Sequence, residues 1–184
     1  MKKSLVTLAI LGLVGITGSA QANLITNGGF ETGNFSGWTQ FGNTGFTGVN
    51  NSPVHSGAYS AYFGSVGSTG GITQTIATSA GQTYLIDFWL TNQSSGSPNS
   101  FEFNWDGGAP ELTFANAAAF SYTHYQYSLV ASSASTPISF AFRQDPSFWR
   151  LDDVSANAVP EPASLALMGL GLAGLGAMRR RKSA

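Results

Sequence analysis

Thr83-Tyr84-Leu85-Ile86-Asp87-Phe88-Trp89-Leu90 carries large apolar residues at every second position. Successive side chains of an extended strand point to opposite faces, so Tyr84, Ile86, Phe88 and Leu90 form one apolar row and Asp87 and Trp89 share the other face. Phe101-Glu102-Phe103-Asn104-Trp105 repeats the alternation and runs into an Asp106-Gly107-Gly108 turn signal. Tyr125-Gln126-Tyr127-Ser128-Leu129-Val130 gives another strand, and Ile138, Phe140 and Phe142 another inward row. Gly, Ser, Asn and Thr clusters separate these runs, with Gly64–Gly71 reading as a turn region and Asn92–Asn99 as a polar loop. No helical stripe and no repeat of fixed period is visible. With 12% aromatic residues to bury, the expected fold class is an all-β sandwich of two packed antiparallel sheets.

Composition bounds what such a domain can do. A chain of 184 residues has room for one small domain, and the absence of cysteine removes disulfides, thiol nucleophiles and thiolate zinc sites. Six of the eight basic residues (Lys2, Lys3, Arg179, Arg180, Arg181 and Lys182) stand near the two ends. Between Asn23 and Val159, Arg143 and Arg150 face Glu31, Asp87, Glu102, Asp106, Glu111, Asp145, Asp152 and Asp153, a net of −6. Nucleic-acid binding needs a basic stripe to neutralise phosphates, so this acidic, lysine-free body excludes it. His55 and His124 are the only histidines and read as structural.

The two ends read as addresses. Residues 1–22 have a charged start, an apolar run from Leu5 to Ile16 and the small-x-small cleavage site Ala20-Gln21-Ala22, as in a secretory signal peptide. Residues 159–184 hold Pro160-Glu161-Pro162, then sixteen uncharged residues over 163–178, then the basic tail 179–182. As a helix, residues 163–178 rise about 24 Å, a minimal membrane span with Arg179 at the interface. An exported N-terminus with a basic C-terminus satisfies the positive-inside rule for a body facing the periplasm. Gly169-Leu170-Gly171-Leu172-Ala173-Gly174 matches a dinucleotide-binding fingerprint in letters, but no strand precedes it, and the glycines read as helix-packing residues.

Pro-Glu-Pro, a short apolar helix and a terminal arginine cluster, in that order, resemble the PEP-CTERM sorting signal of diderm bacteria. The resemblance implies an exosortase-type processing enzyme as partner, with Pro160, Glu161, Pro162, Arg179, Arg180 and Arg181 as recognition residues. It further implies transit through the inner membrane and delivery to the envelope surface or exopolysaccharide matrix. Residues 23–158 carry a second resemblance. Asn23-Leu24-Ile25-Thr26-Asn27-Gly28-Gly29-Phe30-Glu31-Thr32-Gly33, Gly37-Trp38, His55-Ser56-Gly57, Gln74-Thr75-Ile76, Gly81-Gln82-Thr83-Tyr84 and Trp149-Arg150-Leu151-Asp152-Asp153-Val154 follow the order of galactose-binding-domain-like jelly rolls, which include several carbohydrate-binding modules. That family often pairs its first and last strands around a structural calcium ion. The match would make Glu31 and Asp152 side-chain ligands with Asp153 in reserve; the alternative is that these carboxylates accept backbone hydrogen bonds at strand ends.

Sugar binding needs flat aromatics beside hydrogen-bonding side chains. Asp87 with Trp89, and Trp149 in Phe148-Trp149-Arg150, are the glycan-binding candidates, with Tyr59 and Tyr62 behind them; Trp38 and Trp105 read as core. Asp87, Glu102, Asp106 and Glu111 could supply a hydrolase pair, but their spacing selects no two, and no Gly-x-Ser-x-Gly, His-Glu-x-x-His or P-loop is present. The expected function is a non-catalytic adhesion or structural role in the envelope or matrix. The alternatives are a carbohydrate-binding module with a defined glycan and, more weakly, a secreted glycoside-active enzyme. Changing Arg179, Arg180 and Arg181 together to Ala is expected to impair retention or sorting, read by cell fractionation and the mass of the processed chain.

Overall fold

The computed structural model describes residues 22–145 and 147–160. The expected signal peptide, membrane helix and basic tail, and with them Ala20, Glu161, Pro162 and Arg179 to Arg181, lie outside the described residues. Ten strands follow in order: β1 Thr39–Gly42, β2 Thr47–Asn50, β3 Ser60–Phe63, β4 Gly70–Ala77, β5 Thr83–Asn92, β6 Asn99–Trp105, β7 Pro110–Ala115, β8 Phe120–Val130, β9 Ser135–Gln144 and β10 Trp149–Ala158. They form two five-stranded antiparallel sheets, β1-β4-β9-β6-β7 and β2-β3-β10-β5-β8. Most connections carry the chain from one sheet to the other, as a jelly roll requires. Among the described residues no helix is long and apolar enough to cross a membrane.

The alternation at 83–90 sets the layering. Tyr84, Ile86, Phe88 and Leu90 are buried against Phe101, Phe103, Ile138, Phe140 and Phe142 of the facing sheet. Phe140 sits at the centre, stacked on Phe103 at 5.3 Å and edge-on to Phe88 at 5.2 Å, with Trp38 at 6.0 Å. Trp38 and Trp105 are core residues, and each also closes a hydrogen bond, to Asn27 O and to Val130 O. Aromatic rings therefore do the filling that aliphatic side chains do in most sandwiches.

The first and last segments lie together. Leu24 N donates to Ala156 O at 2.9 Å and Val154 N to Gly28 O at 3.0 Å, so residues 24–28 continue the sheet beside β10. A side chain on Gly28 would collide with the Val154 carbonyl, which is why glycine stands there. The turn region read as Gly64–Gly71 is shorter than expected, because Gly70 and Gly71 already belong to β4. They are glycine because the Asn43 main chain and the Phe41 ring lie where their side chains would be.

Phe140→Ala removes the central ring from a site with no solvent exposure. It should destabilise the domain by about 3–5 kcal/mol, read from urea unfolding followed by tryptophan fluorescence.

Candidate functional site

Glu31, Asp152 and Asp153 meet around Gly29, where a Cβ would lie 3.4 Å from Asp153 Oδ1, 3.7 Å from Glu31 Cγ and 4.0 Å from Asp152 Oδ1. Asp152 arrives on β10, and a bulge after it turns Asp153 to φ 49°, so both carboxylates reach the same corner. Main-chain amides of the β2–β3 loop fill this corner. Asp152 Oδ2 accepts from His55 N at 2.9 Å and Ser56 N at 3.3 Å, and Glu31 accepts from Ala58 N at 3.0 Å and Tyr59 N at 3.2 Å. Asp153 holds the same loop through His55 Nδ1 at 2.6 Å and Ser56 Oγ at 2.8 Å. Burial pushes the Asp152 carboxyl up to about 6, against the hydrogen bonds that favour its charged form. Among the described residues no three acidic, histidine or cysteine side chains form a metal-binding cluster. A calcium ion at Glu31 and Asp152 would need main-chain oxygens for most of its six to eight ligands.

Held this way, the β2–β3 loop lies over the outer face of the β2-β3-β10-β5-β8 sheet. Asp87 and Trp89 point to that face, but Trp89 is half-buried between two imidazoles. His55 stacks on it from the loop docked on β10 at 3.7 Å, and His124 from neighbouring β8 at 5.0 Å. Asp87 Oδ1 accepts from His124 Nε2 at 2.9 Å and from Gln126 Nε2 at 2.7 Å. The exposed aromatic platform expected at Trp89 is thus replaced by a packed Trp-His cluster with Asp87 fixing one histidine. Trp149 must also be corrected as a glycan residue. It has no solvent exposure; its ring packs on Phe101, Phe114 and Phe120, and its Nε1 donates to Arg143 O at 3.1 Å. Arg150 beside it is buried too, donating to Asn50 Oδ1 at 2.7 Å and Ser60 Oγ at 3.2 Å over the Tyr62 ring.

The outer face of β1-β4-β9-β6-β7 differs in kind. Register places Phe41, Gly71, Ala141, Glu102 and Thr113 in one row across all five strands. Phe41 lies against Gly71, and Gly71 and Glu102 stand two strand spacings apart, about 10 Å, so Ala141 floors a shallow trough between an aromatic ring and a carboxylate. Ser139 and Asn104 flank it in the next row, Ser100 and Arg143 in the row on the other side. Sequence reading missed Phe41, Gly71 and Ala141; only Glu102 had been singled out, and as one of four possible hydrolytic carboxylates. Of those four, Asp87 is on the opposite sheet and Asp106 Oδ2 accepts from Ser132 N at 2.9 Å, while Glu111 is on β7, the strand paired with β6, two residues from Thr113 opposite Glu102.

Comparison with known proteins gives two family matches: a carbohydrate binding domain over residues 22–147 and a PEP-CTERM protein-sorting motif over residues 158–182. No curated protein matches the chain. Among solved structures, a family 61 carbohydrate-binding module in complex with β-1,4-galactotriose is similar with a TM-score of 0.58 at 17% identity, over 75% of this chain and 99% of that one. A family 22 xylan-binding domain from Paenibacillus barcinonensis aligns with a TM-score of 0.55 at 17% identity, over 79% and 99% of the two chains. The adhesin domain of Lys-gingipain from Porphyromonas gingivalis aligns with a TM-score of 0.54 at 16% identity, over 74% and 99%. At these identities the likeness is one of fold.

Glu31→Ala leaves the Ala58 and Tyr59 amides without their acceptor. A loss of about 1–3 kcal/mol is expected, seen as a lower melting temperature with faster hydrogen exchange confined first to the β2–β3 loop.

Proposed function

Because the chain belongs to the carbohydrate binding domain family and carries the PEP-CTERM protein-sorting motif, we propose that it is an exported, non-catalytic glycan-binding protein of the cell envelope or exopolysaccharide matrix. The ligand lies across the trough on the β1-β4-β9-β6-β7 face. The observation that carries this reading is the contrast between the two faces: one is roofed by the β2–β3 loop, the other is open and pairs Phe41 with Glu102 across a small-residue floor. A pyranose presents a C–H face to the aromatic ring and hydroxyls to Glu102, Ser139 and Asn104. A neutral glycan suits a body of net charge −6 better than a uronate-rich one.

Membership of the carbohydrate binding domain family and the fold likeness to carbohydrate-binding modules support binding without turnover. The sorting motif supports an exosortase-type enzyme as processing partner and the inner membrane as a transit station. Calcium at Glu31 and Asp152 belongs to the same proposal as a structural ion. Glu31 and Asp152, which both reach the corner beside Gly29, would be its side-chain ligands, and main-chain oxygens would have to supply the rest.

A glycan array probed with the full chain in detergent, in calcium and in chelator, tests the reading. Saturable binding to one neutral glycan class is expected, with Glu102→Ala at least tenfold weaker and Asp87→Ala unchanged. Melting that is equal in calcium and chelator would remove the metal; failure to bind any glycan would remove the function.

A further inference from the structure

The end of the sandwich remote from Leu24 and Val159 carries a built groove that the sheet-face reading does not use. The β1–β2, β3–β4 and β9–β10 connections meet there, and Phe46, Gly64, Val66, Asp145, Ser147 and Phe148 line a space of about 230 Å³. Phe46 is 69% exposed, the most solvent-exposed of the large apolar side chains among the described residues, and Val66 is 46% exposed. Phe46 also sits at φ 55°, a left-handed conformation that disfavours a bulky residue. The surroundings impose it. Asn43 Oδ1 accepts from Gly45 N at 3.0 Å, Asn43 Nδ2 donates to Val66 O at 2.7 Å, Ser65 Oγ to Asn43 O at 2.7 Å, and Gly64 N to Phe46 O at 3.0 Å. The opposite wall is as firm. Phe148 stands edge-on to Tyr62 at 5.5 Å, and a Cβ on Gly64 would come within 2.7 Å of the Phe148 ring. Phe46 and Phe148 therefore both line the groove, on loops held by these hydrogen bonds and, at Phe46, by a strained backbone.

Polar groups border the groove without leaving it charged. Arg143 Nε and Nη2 donate to the two Asp145 oxygens at 2.8 and 2.9 Å, which holds the Asp145 carboxyl below its ordinary value, and Gly67 N donates to Asp145 Oδ1 at 3.3 Å. Each carboxylate oxygen keeps acceptor capacity for a hydroxyl, and Ser147 lies alongside. A space below the roughly 300 Å³ of drug-sized pockets takes a single ring. The net charge of −6 on the body disfavours a second copy of this chain and an anionic sugar alike. What remains is a ring with apolar faces and neutral hydroxyls.

We propose that this loop-end groove is a second sugar site, which takes the terminal pyranose of a neutral glycan between Phe46 and Phe148, so that one chain joins two glycans. The proposal rests on the sheet-face reading for its first site only. Leu24 beside Ala156 and Val159 beside Thr83 lie at the other end of the sandwich, about 30 Å away along the ten residues of β10.

Isothermal titration of the full chain in detergent with β-1,4-galactotriose and xylohexaose counts the sites, and turbidity with the parent polysaccharides reads cross-linking. Two sites are expected in the wild type and one each in Phe46→Ser and Glu102→Ala, with cross-linking lost in both variants. Phe46→Trp should restore the loop-end site. A single site that survives Phe46→Ser and disappears in Glu102→Ala would overturn the second site and leave the sheet face standing. A single site with the reverse pattern would overturn the sheet face instead. No binding by any form to either probe, in a chain that melts cooperatively, would overturn both.

Discussion

Three carboxylates set the character of this domain. Glu31, Asp152 and Asp153 come from the N-terminal segment and the last strand, and between them they hold the main chain of the β2–β3 loop at His55, Ser56, Ala58 and Tyr59. The loop they hold roofs one sheet, wedges His55 against Trp89 and buries Arg150 beneath Asn50 and Pro53. One sheet face is thereby spent on structure and the other is left open. Removing a buried carboxylate from water is costly, as the raised Asp152 shows, and the amides that surround it are what make the arrangement tolerable.

The rest of the architecture fits export without cysteine. A sandwich of this size can hold on its core alone when that core is well packed. Here density comes from rings: Phe63 on Phe142 at 3.8 Å, Phe103 on Phe140 at 5.3 Å, and Trp149 among Phe101, Phe114 and Phe120. On the open face Glu102 stands among small and hydroxylated residues, with Arg143 in the neighbouring row.

The fold was legible in the sequence because its signals are local. Tyr84, Ile86, Phe88 and Leu90 announce their strand within eight residues, and Phe101, Phe103 and Trp105 do the same. Site residues were harder to read because their meaning depends on pairing between distant segments. Trp149 and Arg150 looked like an exposed aromatic with a polar neighbour; the strand in fact buries both, Trp149 in the core and Arg150 under a loop about 100 positions earlier in the chain. Trp89 was placed on the correct face, but nothing nearby in sequence shows that His55 would cover it. Glu31, Asp152 and Asp153 were found together because each sits in a recognisable motif. Gly71 and Ala141 carry no signal alone, since a small residue becomes a floor only beside Phe41 and Glu102. Phe46 did leave a trace: a lone large ring in Gly42-Asn43-Thr44-Gly45-Phe46-Thr47-Gly48, a run otherwise made for turning.

The sorting motif follows directly on β10, and β10 is the middle strand of its sheet, flanked by β5 along its length and by β3 and residues 24–28 on the other side. Val159 is still tied to the sheet through its N–H to Thr83 O and its carbonyl to Gln82 Nε2. Ladder hydrogen bonds run perpendicular to the strands, so tension applied through the residues after Val159 loads them in shear, many at once, rather than peeling them one by one. An anchor on an edge strand would unzip under the same pull. Force on the chain after Val159 would therefore be shared by many ladder bonds at once.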